Sequence, residues 1–380
     1  MTCYLNAAGA ALCSDAVVQA QIDYLRKEQQ LGGYICANEH ASDWQQLYRL
    51  IGRLLNCDAH HIALQESASR GLLNALLAVP WRRGDQVLVT DYEYGANYVA
   101  LLQLQQRFEL EITVVKARSG ELTAQDWLEH LTDKTRVILL TWCPSHNGII
   151  LPAYELAGVL NSFNGYFIVD ACQAVGQMAV DVKRLKCDFL VATGRKFLRG
   201  PRGTGFLYAS DRVLSEGLFP MVTDHFAAHW QSEQQFQLSS SAKRFELWEA
   251  NWAARLGLKV AVQLLLESEQ ETYFQIQQNA VELRQQLAHV ANLSLHDSGA
   301  FQSAIISFSL NSVAAEQVFQ RLLKQGFVTS LITRDTSLID MNNRDLPELN
   351  RASVHVYNHP GEFQQLAESL SQIQRAPLTS

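Results

Sequence analysis

The chain has 380 residues, of which 48% are hydrophobic and 18% are charged, and its formal net charge is -7. This composition can supply a large hydrophobic core and predicts two or three domains. Acidic and basic residues are interspersed, and no apolar run is long enough to cross a bilayer, so we expect neither a nucleic-acid partner nor a membrane partner.

The cysteines are an odd number and include no C-x-x-C pair; they are Cys3, Cys13, Cys36, Cys57, Cys143, Cys172 and Cys187. Thiols scattered in this way indicate a reducing compartment better than a disulfide framework. The first residues also lack the basic and apolar segments of a signal peptide. We therefore expect a cytoplasmic protein.

Residues 1–15 predict an N-terminal arm, and the chain then alternates between strand and helix patterns. Seven short apolar runs predict strands: HIALQ, QVLVTD, LEITVV, RVILLTW, YFIVDA, DFLVAT and GTGFLYAS. Amphipathic stretches such as SRGLLNALLAV separate most of them. This alternation predicts an α/β domain over residues 16–250, with a mainly parallel seven-stranded sheet wrapped by helices.

The pattern changes beyond Pro220. A polar and aromatic loop, DHFAAHWQSEQQFQLSSS, leads into a long helical pattern without evident caps, which predicts a bridging helix over residues 251–290. The remainder alternates strand candidates (FQSAIISFSL, ASVHVY) with helix candidates (AAEQVFQRLLKQG, PGEFQQLAESLSQIQ). It predicts a smaller C-terminal α/β domain over residues 291–380.

Polar motifs follow three of the predicted strands. Ser67, Ala68 and Ser69 open a helix after HIALQ, where hydroxyls and free N–H groups can bind an anion. Asp170 ends the run YFIVD, at the strand end where α/β sheets bind ligands. Lys196 follows DFLVAT, next to a second cation, and a neighbouring cation lowers the pKa of a lysine.

Each motif also has a common structural role: a helix cap, a turn cap and a basic surface turn. Together, however, they provide an anion site, a carboxylate for a ring nitrogen and a lysine for an aldehyde. That combination is what pyridoxal 5'-phosphate (PLP) requires, because the protonated ring must accept electrons from a substrate carbanion.

The motifs VDACQAVGQ, ATGRKFLRGPRGTGFLY and KRFELWEANWAARLGL, in this order, resemble the class V aminotransferases, which are fold-type I PLP enzymes. The resemblance implies that Lys196 forms the Schiff base and that Asp170 pairs with the pyridine nitrogen. Its further expected cofactor contacts are Gln173 at the ring hydroxyl, Ala68, Ser69, Thr193 and Arg195 at the phosphate, Tyr94 stacked on the ring, and either His146 or Asn147 beside it.

The resemblance also implies a substrate site and a partner. Arg351 matches the arginine that pairs with the α-carboxylate of an amino acid, and Asn6 and Tyr34 would line the same opening. A homodimer with active sites at its interface is expected. Leu247 stands where many members place a threonine that reaches the partner's phosphate, and the nearby candidates to replace it are Arg244, Trp248 and Asn251.

One departure from the family bears on the reaction. Cysteine desulfurases carry a catalytic cysteine ahead of the substrate arginine, but LITRDTSLIDMNNRDLPELNR contains none, and no cysteine follows Cys187. The chain resembles the C–S lyase and epimerase branch more closely. We therefore expect β-elimination from a sulfur-substituted cysteine or cysteine sulfoxide. Transamination to a keto acid and epimerisation remain alternatives, because they use the same residues.

Two other classes of protein are compatible with parts of the sequence. His225 and His229 would share one face of a helix and could bind zinc, but the segment lacks the glutamate of a zinc-hydrolase motif and an obvious third ligand. We expect no metal there or at His355 and His359. A non-catalytic relative is disfavoured because the lysine, the aspartate and the arginine are all present.

Overall fold

The computed structural model describes residues 2–116, 121–311 and 313–375. Its strands are β1 (Cys3–Tyr4), β2 (Ile62–Gln65), β3 (Gln86–Thr90), β4 (Glu111–Val115), β5 (Thr135–Thr141), β6 (Tyr166–Asp170), β7 (Phe189–Thr193), β8 (Gly205–Ala209), β9 (Ala228–Ser232), β10 (Gln235–Leu238), β11 (Leu293–Leu295), β12 (Ile305–Leu310), β13 (Phe327–Val328), β14 (Ser330–Ile332) and β15 (Leu349–Ser353).

Its α-helices are α1 (Ala7–Ala10), α2 (Asp15–Leu31), α3 (Gly33–Glu39), α4 (Ala41–Leu55), α5 (Ala68–Ala78), α6 (Gly95–Phe108), α7 (Ala124–Leu128), α8 (Ala153–Val159), α9 (Val182–Leu185), α10 (Asp211–Ser215), α11 (Trp252–Glu267), α12 (Glu269–Ala288), α13 (Ala315–Lys324), α14 (Leu338–Asn343) and α15 (Pro360–Arg375). Within the described ranges, no helix combines the length and the apolar character that crossing a membrane requires.

The large sheet has seven strands in the order β2-β8-β7-β6-β5-β3-β4. Neighbours from β7 to β4 run parallel, whereas β8 is antiparallel to both β7 and β2. Alternate side chains enter two cores: Val87 and Val89 pack on one face, and Leu88 packs on the other. The prediction of a mainly parallel sheet of seven strands buried between helices is confirmed.

The C-terminal part forms a second, antiparallel sheet in the order β11-β12-β15-β14. The start of the chain packs with it: β1 pairs in parallel with β13, and Leu5 and Ala8 enter the same apolar cluster as α12 and α15. Strand β15 begins at Leu349 and so lies earlier than the predicted run ASVHVY. The domain boundaries given above stay predictions.

The long helical pattern is two helices and not one. Asn251 caps α11 by accepting the N–H of Ala254 at 2.9 Å, and Ser268 separates α11 from α12. The prediction of a single bridging helix without caps is therefore wrong. The polar loop before it contains a hairpin, because β9 and β10 pair antiparallel across a short turn.

Candidate functional site

A cleft opens at the carboxyl ends of the parallel strands, where ligands bind in open α/β sheets. Loops after several strands of the large sheet supply its walls, so residues far apart in sequence meet there. The lining residues are Ser67, Ala68, Ser69, Tyr94, Asn97, Thr141, Cys143, Ser145, Asp170, Cys172, Gln173, Thr193, Arg195 and Lys196. The structure thus brings together every predicted cofactor-contacting residue except Asn147.

Lys196 lies in the turn that leaves β7. Two main-chain hydrogen bonds shape this turn, from Gly194 N–H to the Thr204 carbonyl (2.9 Å) and from Gly200 N–H to the Gly194 carbonyl (2.7 Å). Burial is the main cause that lowers the pKa of Lys196, and the nearby cations Arg195 and Arg351 act in the same direction. A lowered pKa favours the uncharged amine, which is the nucleophilic form.

Asp170 ends β6 and is held by two donors. Its Oδ1 accepts the N–H of Cys172 at 2.9 Å, and its Oδ2 accepts the side-chain amide of Asn97 at 2.9 Å. The sequence analysis did not identify Asn97. A usable signal existed, since Glu93 and Asn97 are polar residues one helical turn apart at the start of a helix that follows a buried strand.

The start of α5 forms an anion site at one end of the cleft. The Ser67 hydroxyl caps the helix by accepting the N–H of Arg70 at 3.1 Å. In the described part of the chain, the N–H groups of Ala68 and Ser69 have no hydrogen-bond acceptor. Together with the Arg195 guanidinium, which lines the same cleft, they can bind a phosphate.

Arg351 provides a second cation beside the cleft. It is buried, and it donates to the Ser145 carbonyl and to Asn6 Oδ1, both at 2.9 Å, while its Nε has no partner among the described residues. Burial is the main cause that lowers its pKa to about 10, and Arg195 adds to the effect. No described acidic side chain forms an ion pair with Arg351, so its charge is available to an incoming carboxylate.

Two predicted contacts are not found in the cleft. The side chain of Asn147 is buried, and its Oδ1 accepts from the N–H of Ile149 in its own loop and from the N–H of Ser298 in a distant segment, both at 3.0 Å. His146 instead forms a 2.8 Å hydrogen bond with Asp340. Cys143 and Ser145 line the cleft from the segment CPSHNG, and Asn147 and His146 do not, so the structure does not support the prediction that Asn147 or His146 contacts the cofactor.

Tyr34 is also outside the cleft. Its side chain lies on α3 and is 77% exposed, whereas Arg351 is buried and donates a hydrogen bond to Asn6. The structure therefore brings Asn6 together with Arg351 and gives no contact between Tyr34 and the cleft.

Leu247 stands where many family members have a threonine, and most of the nearby residues that could replace that threonine already form other contacts. Arg244 is buried and donates to the carbonyls of Ser239 and Leu214, and Asn251 uses its Oδ1 as a helix cap. These contacts remove Arg244 from consideration. Trp248 is 44% exposed and can still meet a partner.

The histidines that suggested zinc do not share a helical face. His225 lies in a turn and stacks on Trp248 with ring centroids 5.2 Å apart, whereas His229 lies in β9. His355 is buried, and burial lowers its pKa to about 4, so the neutral ring meets the Phe197 carbonyl at 3.0 Å. The prediction of one helical face at residues 225–229 is wrong.

The polar groups of the cleft fit pyridoxal 5'-phosphate. Gln173 donates its amide to the Ala8 carbonyl and leaves a buried Oε1 without a partner in the described chain, which a polar group of the cofactor ring can satisfy. The helix start of α5 suits a phosphate, Asp170 suits a protonated ring nitrogen, and Lys196 suits an aldehyde.

Comparison with known proteins agrees with this fit. The family described as "Aminotransferase class-V" matches residues 3–366. A probable cysteine desulfurase of Methanothermobacter thermautotrophicus is 25% identical over 97% of this chain and 94% of its own length. Other curated relatives are also named cysteine desulfurases, which corrects the expectation that the nearest relatives lie outside that group.

Two solved structures share the fold. A cysteine desulfurase from Thermococcus onnurineus NA1 superposes with a TM-score of 0.89 at 19% identity, covering 98% of this chain and 95% of its own. The cystine C–S lyase C-DES, in complex with its product cysteine persulfide, superposes with a TM-score of 0.87 at 23% identity, covering 97% of each chain. The chain belongs to the class-V aminotransferase family and is a pyridoxal-phosphate-dependent enzyme of fold type I.

Proposed function

We propose that this enzyme cleaves the carbon–sulfur bond of a sulfur-substituted cysteine by β-elimination. The observation that carries the proposal is an unpaired buried cation, Arg351, beside a cleft that holds an amine of lowered pKa, Lys196, and whose two lining cysteines have raised pKa values. Arg351 recognises the α-carboxylate, which makes an amino acid the substrate class.

The residues of the cleft divide the work between binding and proton transfer. The bound cofactor supplies an electron sink for the carbanion that forms at Cα. Asp170 holds the ring nitrogen, and the start of α5 with Arg195 holds the phosphate. Lys196 removes the α-proton and returns protons later, because burial keeps its amine close to the uncharged state.

The cysteines of the cleft support elimination over transfer of sulfur to the protein. Cys143 and Cys172 both line the cleft, but burial raises the pKa of each thiol well above its usual range. A thiol is a much weaker sulfur acceptor than a thiolate. The sulfur therefore leaves on a small molecule.

The segment that would carry a desulfurase cysteine is also held in place. It contains no cysteine, and it is fixed to the large domain by the buried His146–Asp340 contact and by the Ser337 hydroxyl, which meets the Glu93 carbonyl at 3.4 Å. Loss of the β-substituent then gives R–SH, pyruvate and ammonium from R–S–CH2–CH(NH3+)–COO− and one water. With cystine, the sulfur product is cysteine persulfide, the product named for the C–S lyase that shares this fold.

The test is product analysis without an added keto acid. Purified enzyme with bound cofactor is mixed with cystine, an S-alkylcysteine or a cysteine sulfoxide, and pyruvate, ammonia and the sulfur product are measured, with Lys196→Ala as the inactive control. We expect pyruvate and ammonia in equal amounts. Turnover only with a keto acid indicates transamination, a D-amino acid indicates epimerisation, and alanine indicates desulfuration; each result contradicts the proposal.

We also propose that the enzyme acts as a homodimer in a reducing, cytoplasmic environment. Trp230 and Phe236 on the β9–β10 hairpin are 74% and 56% exposed, an unusual exposure for large aromatic side chains on one hairpin. All seven cysteines are free thiols. Light scattering tests the first point: Trp230→Glu is expected to lower the mass from that of a dimer to that of one chain.

A further inference from the structure

Glu93 is a buried acid that the proposed reaction does not use. It lies between β3 and α6, where its side chain is 3% exposed, and its Oε2 has no partner among the described residues. Its Oε1 accepts hydrogen bonds from Thr141 at 2.5 Å, from Asn97 at 2.8 Å and from the Tyr94 N–H at 3.0 Å. A side chain that only filled space here would not need a carboxyl group.

Asn97 connects Glu93 to the cofactor-binding carboxylate. Its single amide nitrogen donates to Glu93 Oε1 at 2.8 Å and to Asp170 Oδ2 at 2.9 Å, so each of its two hydrogens serves one acid. The two carboxyl oxygens must therefore lie within about 6 Å, a range over which one charge shifts the pKa of another. Two acids at this distance repel each other unless a cation lies beside them.

We propose that Glu93 is a positioning residue for the cofactor: it fixes Asn97 and so sets the orientation and the negative charge that Asp170 presents to the ring nitrogen. The inference rests on the proposed pairing of Asp170 with that nitrogen, and it holds whichever reaction follows. A protonated ring nitrogen beside Asp170 is the cation that compensates both acids.

The surroundings of Glu93 agree with this role. Burial is the main cause that raises its pKa to about 7, and Asp170 adds to the effect. Asp170 from β6 is the charged group that acts on it, while Thr141 from β5 and Asn97 from α6 are neutral donors. A positive charge on the cofactor ring favours the ionised form of Glu93. The negative charge of ionised Glu93 in turn favours the protonated form of the cofactor.

The test is a pH titration of the visible absorbance of the bound cofactor, in wild type and in Glu93→Gln. The amide keeps the shape and removes the charge, so we expect the midpoint of the titration to fall by about half a pH unit or more. Glu93→Asp keeps an acid but shortens its reach, and we expect a smaller fall in the same direction. This second variant gives a result even if Glu93→Gln does not fold.

Two controls separate positioning from general stability. Glu246 is another fully buried acid, bonded to Tyr48 and to the Leu64 N–H, so Glu246→Gln should lower stability and leave the midpoint unchanged. In an Asn97→Ala background, the shift caused by Glu93→Gln should largely disappear. The inference is overturned if the midpoint is unchanged in both Glu93 variants, or if Glu93→Gln causes its full shift even in the Asn97→Ala background. An enzyme that gives the expected midpoints but shows no lyase activity would contradict the proposed reaction and not this inference.

Discussion

Replacing Arg351 by methionine tests whether the buried cation recognises the substrate carboxylate. Arg351 is 5% exposed, its guanidinium donates to the Ser145 carbonyl and to Asn6, and no described acidic side chain pairs with it. Methionine keeps most of the volume of the arginine stem and removes the charge. The variant therefore separates recognition of the carboxylate from the packing of β15.

Arg351→Met should lower kcat/KM strongly and stability only slightly. Removing one partner of a buried charged hydrogen-bonded pair costs about 2–5 kcal/mol, which corresponds to roughly 30-fold to 4,000-fold in kcat/KM. Stability should change less. Burial and the nearby Arg195 lower the pKa of Arg351 to about 10, a penalty of about 3 kcal/mol that the variant relieves. Losing two hydrogen bonds offsets most of that gain, at about 1–1.5 kcal/mol each.

The assay compares kcat/KM for a sulfur-substituted cysteine with kcat/KM for the matching amine that lacks the carboxylate. Wild type should prefer the amino acid strongly, and Arg351→Met should lose most of that preference while unfolding at a similar urea concentration. Arg284→Met is the matched control, because Arg284 is partly buried but paired with Asp297 at 2.6 Å; it should lose stability and keep the preference. An Arg351→Met enzyme that still discriminates against the amine would refute the reasoning.

Further predictions concern the cofactor lysine, the buried acid and the cysteine-free segment. Lys196→Ala should abolish the visible absorbance of covalently held cofactor without changing the circular dichroism of the fold. In cofactor-free protein, the pKa of Glu93 is raised to about 7, so the folded state binds a proton there more tightly than the unfolded state does. The resulting stabilisation is fully present below the usual glutamate pKa and is lost as the pH rises through 7. The free energy of unfolding in urea should therefore fall in wild type relative to Glu93→Gln, by about 2–3 kcal/mol between roughly pH 5 and pH 8. A difference between the two proteins that does not change with pH would contradict the raised pKa of Glu93. Asp340→Asn should weaken the buried contact with His146 by about 1–3 kcal/mol, and limited proteolysis should then cut residues 333–346 faster than in wild type.

The large sheet could be predicted because its strands are short, apolar and buried on both faces. Runs such as YFIVD and DFLVAT leave no other environment for their side chains, and the polar residues that follow them meet at one edge of the sheet. For that reason Asp170, Lys196 and the start of α5 were identified from the sequence.

The features that the sequence did not predict depend on contacts between segments that are distant along the chain. Asn147 follows a strand, as a site residue should, but Ser298 lies 151 residues later and bonds its side chain inside the loop. Asn97 and Glu93 owe their role to Asp170, which β6 brings next to α6. The division of the long helical pattern depended on a single serine at position 268, a residue that also occurs within helices.

The ratio of pyruvate to alanine formed from one sulfur-substituted cysteine tests the central claim most directly. Elimination converts the carbon skeleton to pyruvate and releases the sulfur as R–SH, whereas desulfuration leaves alanine and transfers the R–S group to a cysteine of the protein, which forms a mixed disulfide. The cleft offers two thiols of raised pKa, Cys143 and Cys172, and the segment before Arg351 contains no cysteine. We expect pyruvate with almost no alanine. Alanine as the main product, with the R–S group held on an enzyme cysteine as a mixed disulfide, would contradict the account.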